Sequence, residues 1–328
     1  MKVLVTGGAG FIGSHLCEYL VNHKGAYLDK YTILCLDNYL NGNIANIRHL
    51  LNRKNFKLIN GDIRDETILE KYVPSVDAII NLAAQIHVDR SIVEPKLTYD
   101  INVMGTQNVL EVARTYDVER VIHASTSEVY GSAQYAPMDE NHPLSAPHPY
   151  GASKIAADRM CHAYRETYGM DVVVARPFNI FGTRQKSSGY GGVISIFTRR
   201  ILNGKQPIIF GDGLQTRDYT YVSDVVEAYW ALLNSKKKID EINFGTGVEI
   251  TVLDLAKKIA YLCGKEVEPI FVEPRAGEVR RLVANVSKAK QLLGWEPKVS
   301  LDQGLAQYVG WYRDHDLDAW EAPNRWER

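Results

Sequence analysis

Apolar residues follow two alternating rhythms along the first half of the chain. Short, nearly continuous apolar runs at Lys2–Val5, Thr32–Leu36, Phe56–Ile59, Asp77–Ala84, Glu119–Ala124 and Asp171–Ala175 predict buried strands. Between them lie segments whose apolar positions recur every three or four residues. These are Leu16–Val21, then Asn102–Tyr116 with Val103, Val109, Leu110, Val112 and Ala113 on one face, and the long segment Tyr150–Tyr168. Strand and helix patterns in strict alternation predict an α/β fold with a doubly wound parallel sheet. Beyond residue 178 the alternation breaks. Gly182–Gly192 is rich in Gly, Ser and polar residues and is expected to be a mobile loop. Ile208–Gly213 and Asn243–Gly247 read as strand-and-turn pieces, and Val252–Cys263 and Leu301–Asp314 as amphipathic helices. Residues 179–328 are therefore expected to form mainly a smaller α/β lobe over a cleft, with the chain crossing back to the first domain near residues 208–245.

The turn after the first strand carries Gly7, Gly10 and Gly13 in a GxxGxxG spacing, with Phe11 and Ile12 opening the helix that follows. Glycine permits the tight turn, and the helix N-terminus presents free N–H groups and a positive dipole end to a pyrophosphate. The second strand ends in Asp37, at the distance where an acid takes the adenosine ribose hydroxyls. Asn38 and Tyr39 follow, with no Arg to take a 2′-phosphate, so NAD is expected rather than NADP. Residues 1–178 then read as a NAD-binding Rossmann domain. Asp62 and Ile63 close the third strand near the expected adenine position, where Asp62 meets the adenine amino group or only caps a helix. Leu82, Ala83 and Ala84 close the fourth; small residues there let a planar ring lie against the backbone.

Two further stretches bring chemistry. The fifth strand delivers Thr126, Ser127 and Glu128 at its carboxyl end, where open α/β sheets place their sites. Tyr150 and Lys154, four residues apart, share one face of a helix. A lysine ammonium beside a phenol is expected to lower the tyrosine pKa from about 10 and create a base for a sugar hydroxyl. A lone YxxxK is more often a surface aromatic beside a solvated lysine; its setting gives it meaning here. Gln85 and His87 follow the fourth strand and are expected to face the cleft.

Composition narrows the partners without changing this outline. Of 328 residues, 45% are hydrophobic and 23% charged, ordinary for a globular protein, and the net charge of -1 points to neither nucleic acid nor anionic membrane. The four cysteines lack a CxxC pair and fit reduced thiols in the cytoplasm. No apolar run approaches a membrane helix, no signal peptide is expected at the N-terminus, and no metal-ligand spacing is present.

Taken in order, VTGGAGFIGSH, Asp37, NLAAQ, STSEVYG, YGASK and RPFN resemble the extended short-chain dehydrogenases/reductases that act as nucleotide-sugar epimerases and dehydratases. The resemblance covers nearly the whole chain. It implies a Rossmann domain with a small substrate lobe, tightly held NAD, a nucleoside-diphosphate hexose substrate and a homodimer. It also implies that Tyr150 takes the C4 hydroxyl proton, Lys154 holds the tyrosine and the nicotinamide ribose, Thr126 bonds the C4 oxygen, and Pro177 lies with the cofactor. Arg217 matches the family's diphosphate ligand; Asn179, with Arg280 and Arg281 as a second arginine pair, joins it on the substrate.

Glu128 separates the outcomes. An acid two places after Thr126 suits removal of the C5 proton, so a 4,6-dehydratase is expected. GDP-mannose 4,6-dehydratases are similar in carrying Thr-Ser-Glu, whereas dTDP-glucose 4,6-dehydratases carry Asp where this chain has Ser127; Glu128 would then serve as both base and acid. A UDP-sugar 4-epimerase, a UDP-glucuronate decarboxylase and, from another class, a non-catalytic NAD sensor are the rival readings. A sensor needs only the glycine turn and Asp37.

Overall fold

The computed structural model describes residues 1–23, 30–187, 191–275 and 277–315. Six strands occur in the predicted order: β1 (Lys2–Thr6), β2 (Thr32–Asp37), β3 (Phe56–Asn60), β4 (Ala78–Asn81), β5 (Arg120–Ala124) and β6 (Val172–Pro177). A seventh strand, Glu241–Phe244, pairs with β6. Across the sheet the order is β3-β2-β1-β4-β5-β6 and then Glu241–Phe244, every pair parallel. The winding reverses between β1 and β4, which opens a crevice above their carboxyl ends. Strands buried on both faces read as continuous apolar runs, which is why β1, β2 and β4 were so plain in the sequence.

Helices cover both faces. On one, Val109, Leu110, Val112 and Ala113 pack with Leu4, Ile79, Val121 and Cys161. On the other, Leu16 and Leu20 of α1 (Phe11–Asn22) join Val225 and Leu232 of the helix Val222–Asn234. That second core continues without a break into the C-terminal helices through Leu255, Leu305 and Tyr308. Later segments thus divide in two ways. Val222–Asn234 and Glu241–Phe244 complete the large sheet layer, whereas Ile208–Phe210 pairs with Ile270–Val272 away from it. A three-stranded sheet of Glu249–Thr251, Thr216–Asp218 and Arg281–Leu282 faces the cleft from the C-terminal side. Buried Asp218 ties it down by accepting the N–H groups of Thr246, Gly247 and Ala284.

The helix expected over 102–116 is longer and not uniform. A short helix, Pro95–Tyr99, runs through a π turn at Asp100–Met104 into Gly105–Thr115. The turn directs buried Asn102 to the backbone of Gln85 and to the Ser153 hydroxyl. Periodicity cannot anticipate such a bond, because its partners lie elsewhere in the chain. In the loop expected to be mobile, Arg184, Gln185, Lys186, Gly191 and Gly192 line the cleft, and 188–190 lie outside the described residues. The four cysteines are buried free thiols. Among the described residues, no helix is long and apolar enough to cross a membrane.

Candidate active site

The crevice holds a cavity of about 730 Å³. Its floor is the glycine turn. Gly7 has φ +66°, and a Cβ there would meet the Ala83 nitrogen at 2.9 Å; a Cβ on Gly13 would lie 2.2 Å from the Gly7 carbonyl oxygen. Only hydrogen fits at either position, so the turn closes onto the start of α1 and leaves its first amides, at Phe11 and Ile12, on the cleft. Asp37 is buried at the end of β2, where it accepts the Ala9 N–H at 2.8 Å and the Tyr39 N–H at 2.7 Å. Burial pushes its pKa up, and those N–H groups pull it down. Asn38, Asp62, Ile63, Leu82, Ala83, Ala84 and Pro177 also line the cavity, with Asn38 donating to Asp62 at 2.7 Å. This small-residue cradle at a helix N-terminus, with an acid beside it, fits a dinucleotide.

Farther in, β5 ends at Ala124 and the chain turns through a short 3-10 segment, Ser127–Val129. Thr126 caps it, its Oγ1 accepting the Glu128 N–H at 3.3 Å. The turn swings Glu128 back toward the helix Pro149–Tyr168, where its Oε2 meets His148 Nε2 at 3.1 Å. Burial pushes the Glu128 pKa up. The His148 hydrogen bond and the Arg217 charge pull it down more strongly, so the carboxyl sits below its ordinary value.

Tyr150 stands within hydrogen-bond reach of Thr126 and near Glu128. The depression of its pKa expected from Lys154 is not what the structure shows. Burial raises the phenol well above its ordinary value, the Thr126 hydrogen bond lowers it, and the carboxylates of Glu128 and Asp158 raise it again. Lys154 shares the helix face as expected, but its Nζ donates to the Ala124 carbonyl at 2.5 Å and lies 3.5 Å from His123 Nε2. Burial pushes the lysine down to about 8, with Asp158 opposing.

Of the residues expected on the substrate, His87, Asn179 and Arg217 line the cavity together with Ser127. His87 lies 3.3 Å from Asn41 Oδ1, Asn179 donates to the Asp218 carbonyl at 3.1 Å, and Arg217 is 3.5 Å from Glu278. Three others sit elsewhere. Gln85 is fully buried behind the cavity wall. Its Oε1 accepts the His87 N–H, and its Nε2 donates to the His87 carbonyl and to Thr98. It shapes the turn that presents His87. Arg280 forms a two-pronged pair with Asp212 at 2.7 and 3.0 Å on the exposed surface, and Arg281 pairs with Glu249. Neither Arg280 nor Arg281 lines the cavity. The same segment instead offers Arg275, 3.7 Å from Asp89 across the cleft, and Glu278.

Sequence reasoning missed His148, Glu278 and Arg275. For His148 a signal existed, since it stands where a helix cap belongs, just before Pro149.

A family model described as GDP-mannose 4,6 dehydratase matches residues 4–308. The chain is 41% identical to a protein of Methanocaldococcus jannaschii named a putative UDP-glucose 4-epimerase, over 96% of this chain and 99% of that one. It is 37% identical to a dTDP-glucose 4,6-dehydratase of an Actinoplanes species, over 95% and 98%. The crystal structure of DesIV, a dTDP-glucose 4,6-dehydratase of Streptomyces venezuelae solved with NAD, superposes with a TM-score of 0.91 at 36% identity, over 98% of this chain and 99% of that one.

Proposed function

The chain belongs to the GDP-mannose 4,6-dehydratase family of NAD-dependent nucleotide-sugar enzymes, and from that premise we propose that it is a nucleoside-diphosphate-hexose 4,6-dehydratase. The observation that supports this reading is Glu128: a carboxylate kept below its ordinary pKa, on the cavity wall beside Tyr150 and Thr126. In this reading Gly7, Gly10, Phe11, Ile12 and Gly13 would hold the pyrophosphate of NAD. Asp37 and Asn38 would hold its adenosine ribose, Asp62 and Ile63 its adenine, and Leu82, Ala83, Ala84 and Pro177 the nicotinamide side. Bound NAD supplies hydride chemistry, taking a hydride from C4 and returning it later in the turnover.

The protein's own groups move the protons. Tyr150 takes the proton of the C4 hydroxyl, with Thr126 bonded to that oxygen, and Lys154 would hold the nicotinamide ribose. The resulting ketone makes the C5 hydrogen acidic, and Glu128 removes it as a proton. The C6–O bond breaks, and the departing hydroxide takes the Glu128 proton and leaves as water. Tyr150 returns its proton to C5 as hydride reaches C6. One water is lost, two protons are taken and two delivered, and NAD ends as it began. Arg217 would bind the diphosphate in place of its Glu278 contact, two charged oxygens outcompeting one carboxylate. Asn179, His87 and Ser127 complete the substrate side.

A 4-epimerase is the second reading, favoured by the name of the Methanocaldococcus relative and by Ser127 standing next to Glu128 instead of a second acid. The enzyme is also read as a cytoplasmic homodimer. Buried free cysteines suit a reducing compartment. Exposed Ile92, Val93, Tyr99 and Met104, gathered on the helical stretch 88–104, suit a self-associating face. Sedimentation should then show a dimer, and a monomer at micromolar concentration would refute it.

Incubation with UDP-, dTDP- and GDP-hexoses tests the main reading. A 4-keto-6-deoxy product from one of them is expected. Unchanged mass with scrambled C4 configuration would show an epimerase, and release of carbon dioxide from a uronate a decarboxylase.

A further inference from the structure

Helix caps are usually Ser, Thr, Asp or Asn, each of which satisfies one amide and ends there. The helix carrying Tyr150 is capped by a histidine. His148 has extended backbone, φ -140° and ψ 158°, and its Nδ1 accepts the Gly151 N–H at 3.0 Å. A ring nitrogen that accepts an N–H carries no proton, so the hydrogen of the neutral ring resides on Nε2. That nitrogen faces Glu128 Oε2 at 3.1 Å. The contact is thus a donated hydrogen bond from a neutral imidazole. The ring is nearly enclosed and lies parallel to Tyr150, with centroids 6.1 Å apart and planes 13° apart. It does not line the cavity. Packing around it is tight: a Cβ on Gly151 would come within 3.0 Å of the Glu128 carbonyl oxygen and 3.1 Å of the His148 ring.

We infer that His148 is a positioning residue that holds the two proton-transferring groups in register, fixing the Tyr150 helix through one ring nitrogen and the Glu128 carboxylate through the other. The inference rests on the dehydratase reading, in which those groups act on neighbouring atoms of one sugar ring. Tyr150 works at the C4 oxygen and Glu128 at C5, so their separation must stay constant through the turnover. A serine or asparagine cap would serve the helix alone and leave the carboxylate free to rotate. The charged and titratable groups acting on Glu128 are His148 and Tyr150 from the cap and first turn of one helix, and Arg217 and Glu278 from the C-terminal lobe. Among them His148 alone hydrogen-bonds it.

His148→Asn separates the two duties, since asparagine keeps the cap but is too short to reach Glu128. With a substrate that wild type dehydrates, C5–H exchange in heavy water and dehydration should both fall by roughly ten- to a hundredfold, the cost of a misplaced base. Formation of reduced nicotinamide should fall far less. The acid limb of dehydration should also move to higher pH, because the hydrogen bond that depresses Glu128 is gone. Equal losses in oxidation and C5 exchange, or an unmoved acid limb, would overturn the inference. Wild type that neither dehydrates nor exchanges C5–H with any hexose would instead refute the dehydratase reading. Nitrogen NMR of histidine-labelled protein checks the geometry without turnover: the ring whose signals vanish in His148→Asn is expected to be protonated on Nε2 and bare on Nδ1, and a proton on its Nδ1 contradicts the arrangement.

Discussion

In the proposed reaction, Tyr150 must surrender a proton from a site that favours keeping it. Burial and the carboxylates of Glu128 and Asp158 all raise its pKa, and the Thr126 hydrogen bond alone lowers it. The fraction able to act as base therefore grows with pH, and the rate of nicotinamide reduction should rise through neutral and mildly alkaline pH. Glu128→Gln removes one of the raising charges, so that rise should move to lower pH even as dehydration falls by about 10²- to 10⁴-fold. Movement to higher pH would show that the carboxylate does not act on the phenol. Tyr150→Phe should lower the oxidation by a similar factor, about 10²- to 10⁴-fold, read from the same absorbance. The arginines divide as their surroundings do. Arg217→Ala should raise KM by roughly ten- to a hundredfold, the worth of a charge-assisted hydrogen bond. Arg280→Ala should leave KM unchanged, since its guanidinium is engaged by Asp212 on the surface. A raised KM for Arg280→Ala would return that residue to the substrate side. Arg217 and Arg280 look alike in the sequence, and what distinguishes them is the neighbour each finds after folding.

The helix Pro149–Tyr168 sets Tyr150, Lys154 and Asp158 at four-residue steps along one face. That the first two share a face was legible because it depends only on that spacing, whereas the lowered tyrosine pKa read from it did not hold, since Lys154 turns to the Ala124 carbonyl. Asp158 was not legible, since its meaning lies in a partner on β6. Arg176 Nε meets Asp158 Oδ2 at 2.9 Å with both side chains fully buried, and Arg176 continues to Tyr130, whose hydroxyl donates to Asn243 on the seventh strand. The pair clamps the helix that carries Tyr150 and Lys154 to the sheet and places a negative charge that supports the Lys154 ammonium. Asp158→Ala should cost about 3–5 kcal/mol of stability by stranding a buried guanidinium, measured by denaturant unfolding. Pairing Asp158→Leu with Arg176→Met should recover most of that loss. A double variant as unstable as the single one would contradict the clamp.

At the scale of the molecule, the parallel sheet and the glycine turn with Asp37 beside it were readable in advance because each strand, glycine and terminal acid works within a short window of chain. The C-terminal lobe was less so. Its strands run two or three residues, too short for a period, and their pairings join distant segments such as Ile208–Phe210 and Ile270–Val272. Arg281 pairs beside Thr216 in the same way, and Arg280 and Arg281 are engaged by Asp212 and Glu249 outside the cavity lining. The cleft itself is where the two layers meet. The large sheet brings Thr126, Glu128, Tyr150 and Lys154, the small one brings Arg217, and the segment leading to Arg281–Leu282 brings Arg275 and Glu278. Turnover of a nucleoside-diphosphate hexose in heavy water, followed by mass spectrometry and proton NMR of the sugar, tests this arrangement most directly. The account predicts a product lighter by one water, a keto group at C4 and deuterium at C5, all lost in Glu128→Gln. A product of unchanged mass, inverted at C4 and with its C5 hydrogen intact, would contradict it.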